Sequence, residues 1–574
     1  MAREGMPDSG DQSVSRRRVI QGTGLASLAG LVGLAGCTGG NNDNGGSGGN
    51  NAGGSSGGST SGGSDTGSGG SSGSNSGDGS SGSSGGQQQT TLRIPLFQSL
   101  SNLEPETYYT AANVIVGQMI YEGLLGFDFN YNPVPRVAKK LPETPDNTTY
   151  VFELRKGVKT HNGKTITAED VKASYDWIAN PDNSTRAGQF SAVDSLEIVD
   201  DHTVKFNLSK PQATFVPLLA SRLRFNVVTA ESRKGLTSKG LKTKYSDDPQ
   251  GIGTGPFKLA KWEANNLVVL EKFDEYWGDG IPKIDRVEMP IITDASVRET
   301  KFIGKDLDIL TKPPRKDIKR LHSMSNFEGK GIPSVRVQTL WINTAKPPLD
   351  DWRFRRAIVH AFDTESVIKK AFSGIATPGV GYGIPDTQWV TQEAAQYRGF
   401  DLDKAKSFLD KSDYSGSDAK FTLWTIPGRW SDTSQILAQN LSEIGIKCNV
   451  VENKYPAVYD HTRNNEAGAT LQNVAMSIDP SFMMRRFVHP DGDNFSFTRY
   501  PNKEVHKKID KYMETTNFDE RLKLFKEAQT MVAKEAPMFF SVWNEIHQFW
   551  YPKVKNYKPH ASGWYKLRET SVQS

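Results

Sequence analysis

The chain has 574 residues, with 69 Lys/Arg against 65 Asp/Glu, a formal net charge of +4 and 10% aromatic residues. A balance this even, with lysines scattered rather than striped, excludes the basic surface that a nucleic-acid partner requires. Two cysteines in such a length exclude a disulfide framework, and the length itself excludes a single small domain.

In chain order, the first segment is SRRRVIQGTGLASLAGLVGLAGC, residues 15–37. The 18 residues from Val19 to Gly36 carry no charge, but five of them are glycine. That is a weak apolar stretch, closer to an export signal than to a membrane span. Arg16 and Arg17 with Arg18, Val19 and Ile20 resemble a twin-arginine export motif. Leu34, Ala35, Gly36 and Cys37 resemble a lipobox, in which Cys37 receives the lipid. Residues 1–37 therefore read as a twin-arginine lipoprotein signal, which implies a body held at the outer face of the cytoplasmic membrane by lipid on Cys37. Residues 38–90 follow as a linker, of which 38–86 are almost entirely Gly, Ser, Asn, Thr and Asp. Such a composition cannot bury enough apolar surface to offset its ordering entropy. Its reach as a flexible coil is roughly 40 Å.

The body begins at Thr91. Four Lys/Arg and six Asp/Glu fall in residues 1–90, which leaves 65 and 59 beyond, a net of +6. Strands are predicted over 150–154, 202–208 and 268–270. Asn162-Gly163 predicts a two-residue hairpin turn. Thr167 with Asp170 predicts a capping box opening a helix through Val171, Tyr175 and Ile178. Asp350 and Asp351 cap a helix with Phe354, Ala357, Ile358, Ala361 and Phe362 on one face. A second long helix runs over 519–535, with Pro537 as its stop. Cys448 sits in the alternating run 446–450 and reads as a structural thiol on a strand. No period of 20 to 50 residues repeats. The fold class is α/β with mixed sheets and several domains.

Sites for chemistry are absent from the pattern. The stretch Gly157 to Thr165 differs from a phosphate loop, because five positions rather than four separate its glycines. In Gly251-Ile-Gly-Thr-Gly-Pro256 a proline stands where a dinucleotide fingerprint needs its third glycine. No zinc-type cysteine pair, His-Glu-x-x-His or Gly-x-Ser-x-Gly occurs, and the nine histidines lie far apart. No catalytic residue, metal or cofactor is therefore expected, and the chain is not read as an enzyme. An exported multidomain chain of this kind suggests a receptor for a solute.

The body resembles the family 5 extracellular solute-binding proteins, the group that holds the oligopeptide- and dipeptide-binding proteins of ABC importers. The resemblance rests on blocks in order: IYEGLLGFD (120–128), LRKGVK to TAEDV (154–171), GTGPFK (253–258), YWG (276–278), Asn343 with PPLDD and RFRRA (347–357), DLDKAK (401–406), LSEIGI (441–446) and Pro537. It implies a periplasmic-binding-protein-like fold, type II, of the large three-lobed class with a hinged cleft. Lobe I would be 91–131, 232–338 and 541–574; lobe II would be 132–231; lobe III would be 339–540. The segments near 338–341 and 538–542 would be hinges.

The resemblance also implies the site. Ser101 and Asn102 follow the first strand, Trp341 and Asn343 follow a hinge crossing, and Tyr382 and Trp389 flank a glycine-proline loop. Trp424 and Trp430 are candidates for which core packing is an equal reading. In peptide-binding members a carboxylate pairs with the peptide ammonium, and Met476 occupies that position in QNVAMSIDPSF (472–482). Either Asp479 takes over that role or the ligand has no free amino terminus. The partners implied are a small solute, with peptide the default and sugar, metal chelate or other small organic molecule the alternatives, and the permease subunits of an ABC importer. A monomer is expected. An extracellular hydrolase on the same scaffold and a sensory receptor are the rival functions.

Overall fold

The computed structural model describes residues 89–573, apart from 107–109, 185, 222–224 and 477–478. The signal and nearly all of the linker, with Arg16, Arg17 and Cys37, lie outside the described residues. Of the five sheets among the described residues, the three largest organise the chain. A four-stranded sheet has the order 91–93, 286–290, 267–272, 257–263, and a three-stranded sheet the order 149–153, 203–208, 193–200. A seven-stranded sheet runs 309–311, 538–550, 328–342, 469–475, 420–425, 447–452, with 376–378 added against 538–550. Its parallel and antiparallel pairs make it a mixed sheet, as the alternating pattern predicts.

Its centre is an antiparallel pair of unusual length, Glu328–Ile342 against Met538–Trp550. The register runs from Glu328 opposite Trp550 to Trp341 opposite Met538. It is broken between Pro333 and Val337, and again between Gln338 and Thr339. At the second break Ser541 is the extra residue, and its hydroxyl donates to the Gln338 carbonyl (3.0 Å) and side-chain oxygen (2.9 Å). A bulge of this kind bends the strand and concentrates twist. Alternation along the pair splits two cores. Leu340, Ile342, Leu471 and Val542 face one side; Val337, Trp341, Val474 and Trp543 face the other.

Local signals act as the sequence predicts at most boundaries. The Thr167 amide donates to the Asp170 carboxylate at 2.9 Å and opens the helix Ala168–Ala179. Asp351 accepts from the Arg353 amide at the start of Trp352–His360. The helix Phe518–Glu535 ends at Ala536, which is left-handed (φ 51°) ahead of Pro537. The Asn162-Gly163 expectation needs correction. Gly163 has φ 86°, but Asn162 is not left-handed, and the Gly163 amide donates to the Thr160 carbonyl at 2.9 Å. This is a turn centred on His161 and Asn162 with Gly163 as the left-handed bulge, not a two-residue primed turn. The second glycine-rich run also has a packing reason. A Cβ on Gly253 or Gly255 would lie 2.4 Å from the carbonyl oxygen of Ile120 or Met119, so the chain can pass the end of the helix Ala111–Ile120 only as glycine.

Cys448 lies on the strand Lys447–Glu452, half-buried against the core, and burial pushes its thiol up to about 12. It is inert as a nucleophile at neutral pH.

Candidate functional site

Four of the predicted site residues share one apolar cluster. Trp341, Tyr382, Trp389 and Met476 are all buried there. Trp341 stacks on Phe487, with centroids 5.3 Å apart and planes at 25°, and Phe497 lies 4.8 Å away. Trp389 meets Phe525 edge-on at 5.3 Å. The Tyr382 hydroxyl donates to the Met538 sulfur, and its amide donates to Gln529. The Met476 amide donates to the Val335 carbonyl (2.8 Å), and its side chain packs among apolar neighbours.

Asp479 sits beside this cluster, and its charge is already matched. Arg521 donates to one carboxylate oxygen at 2.6 Å, and the Ser481 amide donates to the other at 3.0 Å. Both partners are buried, at 4% and 8% side-chain exposure. The Arg521 guanidinium also covers the Trp389 ring at 5.3 Å. The ammonium role weighed for Asp479 would thus compete with a buried, hydrogen-bonded ion pair.

The remaining predicted residues lie elsewhere. Ser101 is exposed, and its amide and hydroxyl donate to Asn113 at 3.3 Å each. Asn102 is buried, its carbonyl accepts from Asn113, and its side-chain oxygen has no partner among the described residues. Asn343 uses its amide on Asn465 (2.6 Å) and the Ala467 carbonyl (3.1 Å), and its oxygen on the Ala345 amide (3.2 Å). It holds a turn. Trp424 stacks on His461 at 4.0 Å, and Trp430 lies under Arg429 at 4.8 Å.

A second, polar region flanks the bulged crossing, and sequence reasoning missed it. The Gln338 amide donates to Thr433 (3.2 Å), which donates back to the Arg429 carbonyl (2.7 Å) in the first turn of the helix Arg429–Glu443. Arg429 and Arg315 flank one phenyl ring, with guanidinium carbons 5.3 and 5.8 Å from the Phe372 centroid. Arg315 donates to the Phe372 and Ile375 carbonyls at 3.3 and 3.2 Å. Beside them Glu545 accepts from Thr377 (2.8 Å) and meets His547 at 2.7 Å, and the other His547 nitrogen lies 3.0 Å from His322. Hydrogen bonds from His547 and Thr377 hold the Glu545 carboxyl below its ordinary value. No spacing signal could have joined these residues, which come from five separate segments. Among the described residues no group of three or more His, Cys, Asp or Glu is placed to hold a metal ion. Among them, too, no helix is long and apolar enough to cross a membrane.

Mixed sheets, the largest built on a long, bulged strand pair, place the chain in the mixed α/β class of type II periplasmic binding proteins. Residues 132–495 match the family described as bacterial extracellular solute-binding proteins, family 5 (middle region). The chain belongs to that family, the substrate-binding components of ABC importers. It is similar to the glutathione-binding protein GsiB of Salmonella choleraesuis, 27% identical over 456 residues, covering 76% of this chain and 86% of the relative. It is similar to the dipeptide-binding protein of Escherichia coli, 26% identical over 498 residues, covering 81% and 91%. Among solved structures it resembles HbpA2 from Haemophilus parasuis, with a TM-score of 0.75 and 22% identity, covering 84% of this chain and all of that one.

Proposed function

We propose that this chain is the lipid-anchored receptor of an ABC importer for a peptide-like solute, glutathione and short peptides being the first candidates. It captures the solute between lobes I and III, with the boundaries expected from the sequence, and presents it to the permease. The observation that carries this reading is the family match together with the crossing of Glu328–Ile342 and Met538–Trp550, which is irregular at Gln338 and Ser541. A bulged two-strand crossing is the kind of link at which small backbone changes swing two bodies. The relatives named for glutathione and for dipeptides support the solute class. The burial of Trp341, Tyr382 and Trp389 favours a role behind the binding surface, where they fix its shape. Ser101 and the unpartnered oxygen of Asn102 are the polar contacts this reading places on the lobe I side.

Isothermal titration of the full chain with glutathione and a set of dipeptides tests the solute class. Saturable heat with micromolar or tighter affinity supports it. Absence of binding to every member sinks the peptide-like reading. Small-angle scattering of the same samples reports closure as a smaller radius of gyration with solute, because a ligand shifts the lobes only through contacts made on both. Cys37→Ser should release the folded chain from washed membranes; retention there would contradict the anchor.

A further inference from the structure

Five Asn-x-Ser/Thr triplets occur in the chain, at Asn147, Asn183, Asn207, Asn440 and Asn494. In a chain that works outside the cytoplasm such a triplet is the mark of a glycan acceptor on a surface loop. The family is extracellular, so all five belong to the compartment in which such a transfer takes place. The twin-arginine signal expected at residues 15–20 adds a constraint, because that route carries chains that have already folded. Folded structure then decides which triplet a transferase can reach.

Three of the five are closed. Asn207 lies on Thr203–Leu208, the middle strand of its sheet, and its side-chain nitrogen donates to Ser195 (2.8 Å) and Glu197 (2.6 Å). Asn440 lies within the helix Arg429–Glu443, and its nitrogen donates to the Ala361 carbonyl at 2.9 Å. Asn494 is buried, and its backbone amide donates to the Arg486 carbonyl at 3.1 Å. To present any of these, a strand, a helix or a core contact must first open, and such openings are the costly ones. A fourth, Asn183, is half-buried, and its Thr185 lies outside the described residues.

Asn147 differs on each count. It is exposed, as are Thr144, Pro145 and Asp146 before it, in the turn that leads into the strand Thr149–Glu153. Loop tips of this kind are where a folded chain admits an enzyme. The Asp146 carboxylate accepts from the Thr148 and Thr149 amides at 2.7 Å each, which fixes the turn and leaves Asn147 on its outside. The Thr149 hydroxyl, the group a transferase reads, donates only to that same exposed carboxylate (3.0 Å), a contact water can replace. The Asn147 side-chain nitrogen donates to no described residue, while its oxygen accepts from Thr516 at 2.7 Å. Joining a sugar to the nitrogen leaves the oxygen an acceptor, so the contact with Thr516 survives the change. We propose that Asn147 is an N-glycosylation site. Its Nδ2 attacks the anomeric carbon of a glycan carried on a polyprenyl phosphate. The carbon–oxygen bond to the phosphate breaks, the phosphate leaves with the bonding electrons, and the transferase takes one Nδ2 proton. Nothing is oxidised or reduced.

The test uses the full chain purified from its own host. Trypsin releases residues 141–155 as one peptide, which holds this triplet and no other. Mass spectrometry should find that peptide heavier by a whole number of sugar residues in most of the molecules. Peptides holding Asn207, Asn440 and Asn494 should keep their unmodified mass. Asn147→Gln and Thr149→Val should each abolish the addition, and Thr149→Ser should retain it, because serine keeps the hydroxyl. Asn147→Gln changes an exposed side chain, so the proposal stays open to refutation even if Thr149→Val fails to fold. An unmodified 141–155 peptide overturns the proposal. An addition that survives Asn147→Gln also overturns it, since the sugar would then sit on a hydroxyl of the same turn. Equal occupancy at Asn207, Asn440 or Asn494 overturns it as well, because burial would not be choosing the site.

Discussion

The Trp341–Met476 cluster and the Phe372 region lie on the same large sheet and treat their polar groups in opposite ways. The first has aromatic walls, a buried aspartate and a buried arginine, the inventory usually sought in a binding site. Yet the ionic pair beside it, Asp479 with Arg521, is closed at 2.6 Å, and its rings stack on one another. The second has two arginines near a single phenylalanine; among the described residues neither makes an ion pair, and the carboxylate beside them, Glu545, is engaged by His547. Aromatic residues mark where a core is well packed; charge without a partner marks where something is expected to arrive.

If that contrast is right, disturbing the closed region costs stability and disturbing the open one costs binding. The largest loss is expected from Arg521→Met, which leaves Asp479 buried and unpaired, at about 3–5 kcal/mol. Urea unfolding followed by tryptophan fluorescence measures it; a loss under about 1 kcal/mol would mean the pair is not closed in solution. Trp341→Ala should cost a similar or slightly smaller amount, about 3–4 kcal/mol, as a large side chain removed from a packed core. The same titrations reveal whether it acts on stability alone.

His161 supplies a third condition, a buried group satisfied by staying neutral. Its Nε2 lies 2.9 Å from the Gly255 carbonyl, its ring meets Phe273 at 4.9 Å, and burial lowers it to about 4. The folded value lies below the ordinary 6.5, so the unfolded chain gains protons first as pH falls. Stability is full above about 6.5 and declines toward pH 4, by up to about 3 kcal/mol from this residue. Unfolding midpoints at pH 7, 5.5 and 4 should decline less in His161→Gln than in the wild type; parallel curves would show that His161 is not the group responsible. The smallest stability effect belongs to Arg429→Gln, within about 0.5 kcal/mol of wild type or slightly stabilising, since it removes repulsion rather than a bond. A loss above about 2 kcal/mol would place Arg429 in the closed class.

How much of this was legible in the sequence follows the range of each interaction. The helix starts at Thr167 and Asp351 and the stop at Pro537 depend on neighbours a few residues apart, and they read directly. The turn at Asn162-Gly163 was placed but mistyped, because the choice between a primed turn and a bulge is made by the strands that flank it. The glycines at 253 and 255 read as a motif that failed; only the carbonyls of Met119 and Ile120 show why they are there. Met476 flagged a missing charge only through the family resemblance of the segment 472–482. Arg315 and Arg429 could not be found that way, since what unites them is Phe372, from a third segment. The aromatic residues were chosen for their chemistry, and burial is decided by the whole fold.

Amide hydrogen exchange on the full chain, with and without saturating glutathione, tests most directly where the solute sits. Protection should appear at residues 372–378 and 429–433, the segments around the arginine pair, and leave 481–488 unchanged. Protection confined to 479–488, with 429–433 exchanging as before, would put the solute at the closed region and contradict the contrast drawn between the two.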